Sequence, residues 1–223
     1  MATVKIKKNA FKYNAVRYYR GKSEDVVLGC YGDKMTPAGN GNYLDIADKL
    51  NKAAFESVSV HVVGPIDVDW NKTSKSDLDL SGSLKFIKLG GAKGNLTHES
   101  AKSAKLKLMK FSIYKNPLRD AVNTHDQAAL DFIKGAKKRR IVSAVWVAME
   151  AELASKVATG VEVEIDATVN GVELKVKGGT SSTTTTNVKL GSNTTFAYML
   201  HKISSLNAQG TIGTMDDDQH GAF

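Results

Sequence analysis

The sequence predicts an α+β domain: a twisted antiparallel sheet with helices packed on it and two long amphipathic hairpin regions. Three features carry this reading. From Val58 to Phe86 nearly every even-numbered residue is apolar (Val58, Val60, Val62, Ile66, Val68, Trp70, then Leu78, Leu80, Leu84 and Phe86) and most odd-numbered ones are polar, the period of a strand with one apolar and one wet face. The pattern returns with Val161, Val163, Ile165 and Val169, then Val172, Leu174 and Val176. Asn170-Gly171 between them tolerates the positive φ of a tight hairpin turn. Finally, Leu118, Ala121, Val122, Ala129, Leu130 and Ile133 fall at helical spacing.

Taken in order, residues 3–19 alternate weakly through Val4, Ile6, Ala15, Val16 and Tyr18 and predict a basic hairpin. The Gly21-Lys22-Ser23 turn leads into a short strand over 26–31. Glycine and asparagine break the chain at 37–42, and Tyr43, Ile46, Ala47, Leu50 and Ala54 predict a helix over 43–55. Strands are expected over 58–70 and 78–89, separated by a polar stretch, with Gly90-Gly91-Ala92-Lys93-Gly94 as a flexible break. A strand over 104–113 shifts phase between Leu108 and Met109, which predicts a β-bulge there. Pro117 closes this block. A helix pair over 118–133, broken near Asn123-Thr124, precedes a strand over 141–153 that turns Ile141, Val145, Val147, Met149 and Leu153 inward. After the second hairpin region, a Thr-rich stretch leads to Val188 and Leu190, and Phe196, Tyr198 and Leu200 mark a closing strand. Residues 1–203 read as one domain and 204–223 as a short, acidic, mobile tail.

With 223 residues, 42% hydrophobic and 24% charged, the chain has the composition of a folded domain rather than a disordered one. Three prolines suit long strands. No run of apolar residues is long enough for a spanning helix, and the first twenty residues lack the apolar core of a secretory signal, so the expected resting location is the cytosol. A single cysteine, Cys30, excludes an internal disulfide and a Cys-based metal site. It is read either as a small buried thiol or as a redox-sensitive bridge between two copies.

The net charge of +8 and pI near 9.4 point to an anionic partner. Lys5, Lys7, Lys8, Lys12, Arg17, Arg20 and Lys22 crowd the first 22 residues without an acid among them, and Lys137-Lys138-Arg139-Arg140 forms a second block. Nucleic acid is not the expected partner and stands only as a third reading: the basic segments lack the interleaved aromatics of a single-strand platform, although Tyr13, Tyr18 and Tyr19 keep it open.

Chemistry is sparse. The five histidines, at 61, 98, 125, 201 and 220, show no metal-ligand spacing. His98-Glu99 and His125-Asp126 read as solvated neighbours, and so do the acid pairs Asp67/Asp69 and Asp77/Asp79. The Gly-rich run at 90–94 matches neither phosphate-binding pattern. Neither a cofactor nor enzyme activity is expected.

The order of pieces resembles the pore-forming domain of the gasdermin family over roughly residues 10–203. The resemblance lies in the basic hairpin Tyr13-Asn14-Ala15-Val16-Arg17-Tyr18-Tyr19, the strand Val26-Val27-Leu28-Gly29-Cys30 and the segment Tyr43-Leu44-Asp45-Ile46. It continues in the run Ala101-Lys102-Ser103-Ala104-Lys105-Leu106-Lys107-Leu108 and the closing Thr195-Phe196-Ala197-Tyr198-Met199-Leu200-His201-Lys202. It is the short form, without the C-terminal repressor domain, that the chain is similar to, as in early-branching eukaryotic or bacterial members.

What the resemblance implies is a protein that docks on acidic phospholipid at the inner leaflet of the plasma membrane or on an organelle. There it assembles into a ring and refolds two hairpins per copy into a large transmembrane β-barrel, causing permeabilisation and cell death as part of innate immunity. The eleven basic residues named above would dock. The inserting positions would be the even-numbered set from Val58 to Phe86, then Leu106, Leu108, Val161, Val163, Ile165, Val172, Leu174, Val176, Val188 and Leu190. A barrel strand needs about 9 to 11 residues, and the alternating segments have that length. Control is expected through an autoinhibited or Cys30-linked dimer, or through cleavage of the tail near Asp216, Asp217 or Asp218. The alternative is a structural assembly module, such as a virion or tail component, without membrane activity.

Overall fold

The computed structural model describes residues 3–38, 41–78, 82–159, 163–167, 172–177, 184–190 and 193–221, with 163–167, 172–177 and 184–189 described at the level of the backbone. In chain order the first half holds β1 (Val4–Lys7), β2 (Ala10–Tyr13), β3 (Val16–Tyr19), β4 (Cys30–Met35), β5 (Tyr43–Lys49), α1 (Lys52–Glu56) and β6 (Val60–Asp67). Then come α2 (Lys75–Leu78), β7 (Lys85–Ile87), β8 (Lys93–Asn95), α3 (His98–Ser103), β9 (Lys107–Ser112), α4 (Lys115–His125) and α5 (Gln127–Lys134). The last part holds β10 (Arg139–Met149), α6 (Ala151–Thr159), β11 (Val163–Ala167), β12 (Val172–Lys177), β13 (Thr184–Lys189), β14 (Thr195–Leu206) and β15 (Ile212–Asp218).

Among the described residues these fifteen strands join one sheet, whose main path is β1-β2-β3-β14-β10-β9-β6-β13-β12-β11. All pairings are antiparallel except one contact of β10 with β7. The α+β expectation therefore holds. β10 is the axis: nine of its eleven residues are buried, as a strand covered on both faces requires.

One face carries the larger core, where Leu118, Val122, Leu130, Ile133, Leu153 and Val157 from α4, α5 and α6 meet Ile141, Val145, Val147 and Met149 of β10. The other face carries a second core, in which Phe11 and Tyr18 of the first meander, Trp70, Leu78, Leu84, Leu106 and Leu108 surround Trp146. The Trp146 ring meets Phe11, Tyr13 and Tyr18 edge-on at 5.2–5.6 Å, the favoured aromatic geometry.

Several sequence expectations are corrected. The helix predicted over 43–55 is instead β5 followed by α1. β5 pairs with β4 from Cys30↔Lys49 to Met35↔Tyr43, and the helix begins only where the Asn51 side chain accepts the Ala54 N–H at 2.9 Å. The strand expected over 26–31 starts at Cys30, because Gly29 takes φ +82° and bends the chain before it.

The strand expected over 78–89 is reduced to β7, with Leu78 closing α2 and Leu84 in a loop. Tertiary packing explains this, since Trp70, Leu78, Leu84 and Phe86 all bury in the second core without forming one continuous strand. The alternation from Val58 onward is not a single face either. Val63↔Lys110 is followed by Ile66↔Leu108, so β6 carries an extra residue. Gly64 supplies it with φ +123°, and a Cβ there would lie 3.1 Å from the Leu108 carbonyl. The extra residue flips the strand: Val58 and Val60 enter the larger core, Ile66 the second. The bulge predicted between Leu108 and Met109 thus sits on the partner strand. β9 itself alternates strictly, burying Leu106 and Leu108 on one side and Met109, Phe111 and Ile113 on the other.

The helix pair is present, broken at Asp126, whose carboxylate caps α5 through the Ala129 N–H at 3.0 Å. The strand expected to reach 153 ends at Met149, and Leu153 belongs to α6. The tail expected to be mobile is built into the sheet. β14 continues to Leu206, and β15 returns along it from Leu206↔Ile212 to Leu200↔Asp218, burying Ile212 and Met215.

Candidate functional site: a two-faced ribbon and a basic hairpin

β11, β12 and β13 extend the sheet beyond β6 through Thr184↔His61 and Thr185↔Val60. The hairpin register is Val163↔Val176, Glu164↔Lys175, Ile165↔Leu174, Asp166↔Glu173 and Ala167↔Val172. Directly opposed residues share a face, so positions 163, 165, 167, 172, 174 and 176 form an apolar row and positions 164, 166, 173 and 175 a charged one. β13 adds Leu174↔Val188 to the first and Glu173↔Lys189 to the second. Val163, Ile165, Val172, Leu174, Val176 and Val188 therefore share one face by register, as the alternation predicts. Val161, Val169 and the Asn170-Gly171 turn lie outside the described residues, as does Leu80, whereas Leu190 is buried in the larger core.

The other insertion candidates are mostly core residues. Val58, Val60, Ile66, Trp70, Leu78, Leu84, Phe86, Leu106 and Leu108 are all buried, and Val62 and Val68 are half-buried. In the folded chain they face protein.

The basic hairpin has a definite geometry. Lys5 of β1 lies opposite Lys12 of β2, which lies opposite Arg17 of β3. Like charges directly opposed on neighbouring strands repel, so this row costs stability unless an anion meets it. Arg17 donates to the Gly221 carbonyl at 2.7 Å. Lys7 and Lys8 are exposed, although Lys7 lies 3.6 Å from Asp77, and Lys22 is held over the Tyr43 ring at 4.3 Å.

Arg20 is no docking residue, being fully buried. Its guanidinium donates to the carbonyls of Lys7 at 2.7 Å, Asp77 at 2.5 Å, Leu78 at 3.2 Å and Phe196 at 3.3 Å. Burial lowers its pKa to about 9, which leaves it charged at neutral pH. The second basic block is likewise largely engaged: Lys138 pairs with Asp33 at 2.6 Å, Arg139 lies over the Phe132 ring at 4.2 Å, and Arg140 pairs with Asp218. Lys137 is exposed.

The remaining control residues are also repositioned. Asp218 is only 13% exposed at its side chain and accepts from Lys34 Nζ at 2.8 Å as well as from Arg140. Burial pushes its carboxyl up, but these two cations more than offset it and hold it below the usual range. Asp216 and Asp217 are exposed but stand in β15, hydrogen-bonded to β14. A protease needs an unpaired extended segment, so this run is a poor cleavage site as folded. Cys30 is 4% exposed in β4, and burial raises its thiol pKa. The fold packs it as a buried thiol, and low access and a raised pKa both disfavour its reaction in the folded chain.

Sequence reasoning missed the lock formed by Asp218, Lys34 and Arg140. Its signal was the Asn207 to Gly210 turn followed by the spacing of Ile212 and Met215. Asp67 and Asp69 each pair with a lysine, Lys107 and Lys72, and the glycines at 90–91 form the turn between β7 and β8.

Comparison with protein-family models, curated proteins and solved structures found no match to the chain. Among the described residues no cluster could hold a metal ion, and no helix is long and apolar enough to cross a membrane. The latter does not bear on crossing by strands.

Proposed function

We propose that the chain permeabilises acidic membranes by inserting strands as an oligomer. The observation that carries this reading is the register of β11 and β12. Five consecutive pairs keep apolar residues on one side and charged residues on the other, the division a barrel wall needs between lipid and lumen. The opposed cations Lys5, Lys12 and Arg17 support docking on an anionic surface, where each contributes about 1 kcal/mol. Backbone groups cannot remain unpaired in hydrocarbon, so insertion would have to accompany strand pairing between copies. On this reading Ile66, Phe86, Leu106 and Leu108 insert only after the second core opens and Val60 only after the larger core opens as well, and the folded chain is the resting state.

The test is dye release from phosphatidylserine vesicles against phosphatidylcholine vesicles, with the protein as folded, acidified and mildly proteolysed. Release from the acidic vesicles alone is expected. It should be suppressed by a disulfide between His61→Cys and Thr184→Cys, which ties β13 to β6, and restored by reduction. No release under any of these conditions, or equal release from the pinned protein, would overturn the reading.

A further inference from the structure

The main path of the sheet ends in β1 on one side and β11 on the other, and among the described residues no strand pairs the outer edge of either. Open edges are templates for strand addition, and folded proteins usually blunt them with proline, lysine or a bulge. β11, Val-Glu-Ile-Asp-Ala, has no proline or lysine and is charged only through Glu164 and Asp166, so an added strand must bring bases to meet them. β1 is Val-Lys-Ile-Lys. Its Lys5 and Lys7 are exposed and its Ile6 buried; at its far end the Asp77 carboxylate takes the Lys8 N–H at 3.2 Å and lies 3.6 Å from Lys7 Nζ, and Arg20 takes the Lys7 carbonyl, leaving Val4 to Ile6 as the open stretch with the Lys7 side chain at its rim.

We propose that β11 of one copy adds to β1 of the next, antiparallel, with residue 164 opposite 7, 165 opposite 6, 166 opposite 5 and 167 opposite 4. This register sets Glu164 against Lys7, Asp166 against Lys5, Ile165 against Ile6 and Ala167 against Val4. Both acids meet bases and both apolar pairs match. The symmetric alternatives fail on the same count. Pairing β11 with a second β11 about Ile165 opposes Glu164 to Asp166, and pairing β1 with a second β1 opposes lysines, each a repulsive cross-strand contact. Moving either by one residue sets a charge against an apolar residue on the same face. Charge complementarity therefore selects a head-to-tail contact, which joins many copies into a ring or filament and not a closed dimer. This contact needs no lipid, and it holds whether the assembly enters a membrane or serves as a structural module.

Sedimentation of the intact chain, without lipid, at low and high salt tests it. Wild type is expected to grow in mass with concentration and to dissociate as salt rises. Lys5→Glu/Lys7→Glu and Glu164→Lys/Asp166→Lys should each weaken self-association at least about tenfold in Kd. Mixing the two variants should restore assembly, since each then offers the edge the other lacks, and that rescue also shows that both are folded. A wild type that stays monomeric at every concentration and salt, reversed variants that associate like wild type, or a mixture that stays apart would overturn the proposal. None of these readouts depends on dye release, so the membrane reading and this contact can fail separately.

Discussion

The Arg20 guanidinium stands 4.3 Å from the centre of the Phe196 ring while its Nε donates to the Phe196 carbonyl at 3.3 Å. One side chain thus holds β14 by ring and backbone together, and its other nitrogens reach β1 and the end of α2. Among the described residues no carboxylate is in ion-pair contact with it, so carbonyl dipoles and the ring face hold it, and the Asp77 and Glu24 carboxylates favour its charged form from farther off. Removing it strands several buried carbonyls at once. Arg20→Met is expected to cost about 3 kcal/mol or more, read as a lower urea midpoint. Hydrogen exchange should speed first at residues 75–78, the stretch that Arg20 fastens to the body.

Asp218 organises the end of the chain in a similar way. Lys34 and Arg140 converge on it from β4 and β10, and the Tyr19 hydroxyl donates to it at 3.2 Å. Asp218→Asn leaves two poorly exposed cations facing a neutral amide, and the expected loss is about 2–4 kcal/mol. A double-mutant cycle with Arg140→Met measures the coupling, which should exceed that of an exposed ion pair.

Acid should weaken this same region in two stages. His201 is buried in β14 with Asp217, Asp216 and Lys115 around it, and burial lowers its pKa to about 4 from the ordinary 6.5. Its Nδ1 lies 3.3 Å from an Asp217 oxygen, outside hydrogen-bond geometry. A base whose folded pKa is depressed takes its proton more readily when unfolded. Stability is therefore complete above about 6.5 and falls as pH drops toward 4, by on the order of 3 kcal/mol at most. His220, lowered by burial as well, adds in the same direction. The depressed carboxyl of Asp218 works from its own side: its contribution is present above the ordinary carboxylate range and is lost as pH falls through its lower folded pKa. Urea midpoints from pH 8 to 3 should show the decline beginning near 6.5, and His201→Phe should flatten the portion between 6.5 and 4.

How much of this was legible follows from which signals are local. The helix pair at 115–134, the inward face of β10 and the second hairpin were readable because periodicity acts over a few residues. The faces of β6 were not, since one extra residue at Gly64 inverts everything after it, and only the partner strand reveals the insertion. Leu78 and Leu84 kept strand period yet pack without strand pairing, because burial rewards apolar positions whatever the backbone does. The charges were hardest. Arg20 and Arg140 look in sequence like members of basic clusters, and only the fold brings them to carbonyls and to Asp218 at 57 to 78 residues' separation.

Cys30 offers a clean check on the resting fold. The thiol is 4% exposed and its pKa is raised by burial, so both access and thiolate fraction oppose reaction. Its slow modification by a thiol reagent should track global unfolding, rising with urea along the same curve as the circular dichroism signal. Oxidant should produce no cross-linked dimer on non-reducing gels below that transition. Cys30→Ala should cost about 1 kcal/mol for the small cavity and leave self-association unchanged, because the edge contact between β1 and β11 does not use β4. A dimer that forms readily from the folded chain and vanishes in Cys30→Ala would instead show that β4 opens, and the packing of Val26, Leu28 and Leu50 around it would have to be mobile.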